Sequence, residues 1–204
     1  MTPVYKLSAN SVRNGRTVYG SMLAGNTAFV PTDFESIATT TVGSGGASTI
    51  DFTSISSSYT HLQIRMLVRT NRADTGDTIW IRCNSDTGSN YTAHILWGDG
   101  ASVGAQANYT NDRMYLQYYG IPGNNATASV FGVCVLDLLD YANTNKYKTV
   151  RMLSGQDRNG AGDVELNSGL WMSTSAVSSI TISPRYGTGF VQYSSFALYG
   201  IKSA

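Results

Sequence analysis

The stretch Tyr59–Thr70, YTHLQIRMLVRT, constrains this chain more than any other. Leu62, Ile64, Met66 and Val68 alternate with His61, Gln63, Arg65 and Arg69, the first set on one side of an extended chain and the second on the other. Successive side chains leave opposite faces of a pleated strand, so a two-residue apolar period marks a half-buried strand. Wound as a helix, the same residues would scatter both arginines onto the apolar side. The stretch therefore predicts a central strand with a polar outer face that carries Arg65 and Arg69.

The rest of the chain reads as strands stacked on that core. Glu35–Val42 is a first strand, joined through Gly43–Gly46 to Ser48–Ile55 as a hairpin. Asp77–Asn84, Tyr91–Trp97, Met114–Tyr119, Tyr147–Leu153, Val164–Ser173, Ser178–Ser183 and Ser195–Ile201 follow, separated by Gly-, Asn- and Asp-rich turns. Gly98–Asn111 and Gly155–Gly162 are expected as loops, the first projecting from the body. Ala126–Asp140 is the most apolar run and predicts a strand buried on both faces near the middle of a sheet, with a helix over Leu136–Tyr141 as the alternative. Roughly ten strands without a sustained amphipathic helix make an all-β protein, an antiparallel jelly-roll-like β-sandwich.

Residues 1–34 break that pattern. Their apolar residues come singly, and Gly15, Gly20 and Gly25 interrupt any longer element. Tyr19, Met22, Leu23 and Phe29 form a loose apolar set that cannot build a core of its own. The segment reads as an anchoring arm lying along a neighbouring subunit or partner, or as a frayed terminus or extra edge strand. Pro31-Thr32-Asp33 ends it, leaving 35–204 as the sandwich domain.

Charged residues are 13% of the chain, about half the usual ~25%, which implies that part of the surface is covered by a partner. A net charge of +1 gives no field to hold nucleic acid or an acidic membrane. No run of ~20 apolar residues is present and the N-terminus has no signal-like apolar stretch, so a soluble chain without membrane insertion is expected. Cys83 and Cys134 sit inside strand patterns and read as buried free thiols, with a disulfide as the alternative.

No catalytic motif stands out. His61 and His94 lack a second ligand at metal-like spacing, and no G-x-S-x-G elbow occurs. Glu35 and Glu165 are the two glutamates, and Asp99, Asp157 and Asp163 are the aspartates to consider for acid–base work. Asp74–Asp77, Asn84–Asp86 and Asp157–Asp163 offer oxygen ligands for calcium without matching an EF-hand. The expectation is a non-enzyme with no cofactor. Tyr91, Trp97, Tyr109, Tyr118 and Tyr119 bracket two loops, where aromatic faces stack on sugars or on neighbouring subunits.

The segments SSYTHLQIRMLVRT (57–70), VLDLLDYANTNKYKTVRMLSG (135–155) and SSFALYGIK (194–202), with the opening YKLSANSVRNGRTVYGSMLAGNTAF (5–29), resemble tailed-phage virion proteins of marine phages and cyanophages. The resemblance covers most of the chain and brings no catalytic motif. It implies a tail-fibre or head-decoration protein of the virion, with the N-terminal part attached to capsid or tail and the β-domain facing outward. On that reading the chain is a homo-oligomer, taken as a trimer, anchored by Tyr19, Met22, Leu23 and Phe29. The alternative is a receptor-binding module for host surface carbohydrate. It would use loops 85–90, 98–112 and 155–162, with Trp97 and Tyr109 as stacking platforms and Asp99 beside them.

Overall fold

A computed structural model describes residues 33–116 and 118–202. The expected arm, with Tyr19, Met22, Leu23 and Phe29, lies outside the described residues. Among the described residues fourteen strands are formed: β1 (Phe34–Thr41), β2 (Ile50–Phe52), β3 (His61–Val68), β4 (Gly76–Asp77), β5 (Ile79–Cys83), β6 (Tyr91–Gly98), β7 (Val103–Asn111), β8 (Met114–Tyr115), β9 (Ile121–Pro122), β10 (Gly132–Leu138), β11 (Lys148–Asp157), β12 (Gly162–Trp171), β13 (Ile180–Pro184) and β14 (Ser195–Ile201). No helix occurs among the described residues.

The strands form an antiparallel sandwich. The large sheet has the order β1-β14-β3-β10-β11-β12-β6-β7 and the smaller sheet β2-β13-β5-β8, with β4-β9 as a short ribbon. This order is compatible with a jelly roll. Strand β3 lies third from one edge of the large sheet. Its Leu62, Ile64, Met66 and Val68 are all buried, as the alternation predicts, in one core with Ile79, Ile81, Ile180 and Ile182 of the smaller sheet. Each such side chain contributes about 1.5–3 kcal/mol by leaving water.

Several expectations change. Residues 35–55 are not a hairpin: β1 pairs with β14 in the large sheet, and β2 pairs with β13 in the other. The strand begins at Phe34, one residue before the expected domain boundary, and the Phe34 ring stacks on Tyr199 at 4.8 Å. Val103–Asn111 is not a projecting loop but edge strand β7, paired with β6. The expected loop 155–162 shrinks to a short turn between β11 and β12. The expected strand at Met114–Tyr119 is only the two residues of β8. Leu136 and Leu138 belong to β10, so no helix starts there. Strand β10 buries one face only, with Cys134, Leu136 and Leu138 inward and Val133 exposed.

Arg69 is also not on the polar face. It is buried, and its guanidinium donates to the carbonyls of Thr127, Val130, Asn124 and Ala126 at 2.7–3.2 Å. Lys148 repeats the device: its buried ammonium donates to the carbonyls of Asn143, Lys146 and Thr174. In both places a cation satisfies loop carbonyls that would otherwise be buried without donors. Cys83 and Cys134 are buried and unbonded to each other, and burial pushes the Cys83 thiol up to about 12.

Candidate functional site

The large sheet presents an apolar outer face that no other element of the described chain covers. Strand register sets it out in two rows. The first runs Leu67, Val133, Gly155, Val164, Gly98, Val103 across six strands. The second runs Arg65, Val135, Leu153, Leu166, Leu96, Ala105. Val133, Leu153, Leu166 and Leu96 keep 53%, 56%, 47% and 57% of their surface in solvent, so these side chains are in contact with water rather than with the sandwich. Open hollows of about 440 and 310 Å³ flank Leu96 and Leu166. A polar row borders the patch, where Asp137 accepts from Gln63 at 2.8 Å and pairs with Arg151 at 2.9 Å. At the β1 edge, Arg65 lies over the Phe34 and Tyr199 rings at 5.2 and 5.3 Å.

Behind this face, the inner side of β12 holds a buried carboxylate. Glu165 accepts the backbone N–H of Tyr118 at 3.0 Å and of Tyr119 at 2.8 Å, which fixes the aromatic stretch after β8. Burial raises the Glu165 carboxyl above the usual range, and the two N–H bonds oppose that shift only in part. Asp163 is raised for the same reason, against a hydrogen bond from Gln156 and the Arg158 guanidinium 3.7 Å away. A carboxyl whose pKa is higher folded than unfolded keeps its proton better when folded. Its stabilising share is full below the unfolded value and is lost as pH rises through the folded one. As pH rises through and above the ordinary carboxyl range, wild type is therefore expected to lose stability relative to Glu165→Gln, read by urea unfolding at each pH. A difference that stays flat with pH would rule out a raised Glu165.

The three residues expected to contact a glycan are not brought together. Trp97 follows the inner parity of β6, stacked on Tyr118 at 4.9 Å, with its indole filling the space above Gly104. Tyr109 is exposed and meets His94, which is on the outer parity, edge-on at 5.6 Å. Asp99 sits in the β6–β7 turn, where its carboxylate accepts from the N–H groups of Ala101 and Ser102 and is held below its usual range by them. Asp99, Asp157 and Asp163 do line one open cleft of about 360 Å³. Asp157 accepts from the Asn159 N–H, so two of these three carboxylates are engaged in closing turns and the third in the Gln156–Arg158 contacts.

The carboxylates considered for calcium are likewise engaged within the fold. Asp77 is buried and accepts from the Thr70 hydroxyl and from the N–H groups of Thr78, Tyr186 and Gly187. Asp86 accepts from the Trp171 indole, Asn90 and Gly88, which holds it below its usual range. Among the described residues no group of three or more His, Cys, Asp or Glu is placed to hold a metal. His61 accepts from the Asp140 N–H at 2.9 Å.

Reading the sequence missed the outer face as a site. The signal was there: β10, β11 and β12 carry apolar residues at both parities, which suits a strand covered on both sides. No family model, no curated protein and no solved structure matches the chain.

Proposed function

We propose that this chain is a non-enzymatic structural protein of a phage virion, a tail-fibre or decoration component that assembles as a homotrimer through the outer face of its large sheet. The observation that carries the reading is the uncovered double row around Leu153, Leu166 and Leu96. An antiparallel sheet in a free monomer normally turns a polar face to water. Seven large aliphatic side chains, exposing from 42% (Leu67) to 85% (Val103) of their surface, leave roughly 600 Å² of contiguous apolar area, at the top of the range for a monomer. With its polar border the face approaches the ~800 Å² per partner of a stable interface. Second copies of this chain are the proposed occupant, three of them closing around one axis. The likeness of residues 57–70, 135–155 and 194–202 to phage virion proteins supports the placement on a particle.

Light scattering on the purified protein tests the assembly. A trimer mass at tens of micromolar is expected, and a monomer at that concentration would remove the basis of the reading. Attachment is assigned to the segment before β1, through Tyr19, Met22, Leu23 and Phe29. A chain shortened to begin at Asp33 keeps every described strand and is expected to fold yet fail to join particles. Normal occupancy of particles by the shortened chain would refute the anchoring role.

A further inference from the structure

Six ring and guanidinium contacts run unbroken from the large sheet to the smaller one. Trp97 stacks on Tyr118 at 4.9 Å, and Tyr118 meets Tyr119 edge-on at 4.8 Å. The Arg72 guanidinium lies over Tyr119 at 5.2 Å and over Tyr186 at 4.4 Å. The Arg185 guanidinium lies over Tyr186 at 4.8 Å and over Tyr115 at 4.2 Å. None of these residues belongs to the apolar rows of the outer face. Tyr118 and Tyr186 are well exposed, at 38% and 51%.

The arginines in this region differ in how their charge is met. Arg72 pairs with Asp74 at 2.9 Å and donates to the Gly76 carbonyl. Arg82 and Arg113 lie over Trp80 and share Asp112. Arg185 has no carboxylate partner, and its guanidinium donates to no protein acceptor among the described residues. Two tyrosine rings hold its plane, and its five N–H donors are unspent, which is a fork shaped to take a planar anion in two parallel hydrogen bonds. The hydroxyls of Tyr115, Tyr118, Tyr119 and Tyr186 also have no protein partner among the described residues.

We propose that this ladder binds an acidic polysaccharide. Arg185 takes the carboxylate of a uronate unit, and the tyrosine rings and hydroxyls along the ladder take the sugars beside it. A sparsely charged, hydroxyl-rich polymer fits a single uncompensated guanidinium among phenols. Nucleic acid fits poorly, since its binding draws on many neutralised phosphates and the chain carries a net charge of +1. The ladder replaces the loop surface expected from the sequence. Trp97 remains part of it, while Tyr109 and Asp99 do not.

Calorimetric titration of the full chain with hyaluronan oligomers, in which each uronate alternates with a neutral sugar, with neutral dextran and with an oligothymidylate tests this. Uronate binding that weakens with salt is expected, with no response to dextran. Arg185→Ala is expected to weaken it at least about tenfold and Tyr186→Ala several-fold, both in proteins that still fold and whose melting temperature falls only by the loss of their ring contacts, since neither side chain makes a hydrogen bond within the described fold. Arg185→Lys keeps the charge but loses the fork and is expected to recover only part of the affinity. Absence of uronate binding, indifference to Arg185→Ala, or equal affinity for oligothymidylate would each overturn the proposal. None of these results bears on the assembly reading, which is scored by mass.

Discussion

On the proposed assembly, Leu166→Glu is expected to turn trimers into folded monomers. Leu166 stands in the middle of the second apolar row, with Leu153 on one side and Leu96 on the other. In a single subunit it is 47% exposed, so a carboxylate there remains hydrated and the sandwich keeps its core. In the proposed trimer the same carboxylate would be enclosed among leucines and valines, and the nearby Arg151 is already paired with Asp137. An unpaired buried charge of this kind costs several kcal/mol, and about 3 kcal/mol per subunit already weakens each contact more than a hundredfold. Light scattering should show the mass fall from three chains to one at tens of micromolar, with the unfolding midpoint of the monomer preserved. Leu166→Met, which conserves volume, should stay trimeric. Thr87→Glu, in the exposed turn between β5 and β6, adds the same charge elsewhere and should also stay trimeric. A Leu166→Glu protein with the mass of wild type would place the interface on another surface.

The two apolar rows also explain which parts of the fold could be read from residues alone. Strand β3 was legible because its inner face is a strict two-residue alternation over a single buried core. Strand β10 is near the middle of the sheet as its apolar run predicts, but the second face, expected to be buried, is open to solvent in the described chain. What the sequence does not state is whose atoms cover each face, and here the second cover is not supplied by the described chain. The β1–β2 hairpin failed for a different reason. A glycine-rich turn sets only a local possibility, whereas β1 gains its partner in β14, at the far end of the chain. Strand β7 was hidden by its small residues. Gly104 is required because a Cβ there would come within 2.5 Å of the Trp97 indole, so the strand reads like a loop where it is packed most tightly. The Arg–Tyr ladder could not be anticipated, because its members come from separate segments that only the finished sandwich brings into line.

Arg69 is the residue where strand parity misleads most, and replacing it is expected to cost the fold most. Strand β3 ends at Val68, so the alternation no longer fixes the direction of the next side chain. The Arg69 backbone is held by the hydroxyl of Ser194, which accepts from its N–H at 3.1 Å and donates to its carbonyl at 3.2 Å. Its guanidinium turns into the segment between β9 and β10 and meets four carbonyls there. No carboxylate takes part, so the charge is solvated by peptide dipoles, and desolvation lowers the pKa of the side chain without discharging it. Arg69→Met fills similar space but leaves those carbonyls without donors. At about 1–3 kcal/mol for each acceptor that water cannot reach, a loss of at least ~3 kcal/mol is expected, a large share of the ~5–15 kcal/mol that holds a domain together. Arg65→Met, on the exposed side of β3, should cost under ~1 kcal/mol. Urea unfolding of the two variants beside wild type measures both, and an Arg69→Met protein within 1 kcal/mol of wild type would mean that water, not the guanidinium, satisfies this loop. The consequence reaches the proposed assembly surface, because the pinned segment leads directly into β10, which carries Val133 and Val135 in the two apolar rows. Arg69→Met should therefore weaken the proposed trimer as well as the fold, although its side chain lies on neither apolar row.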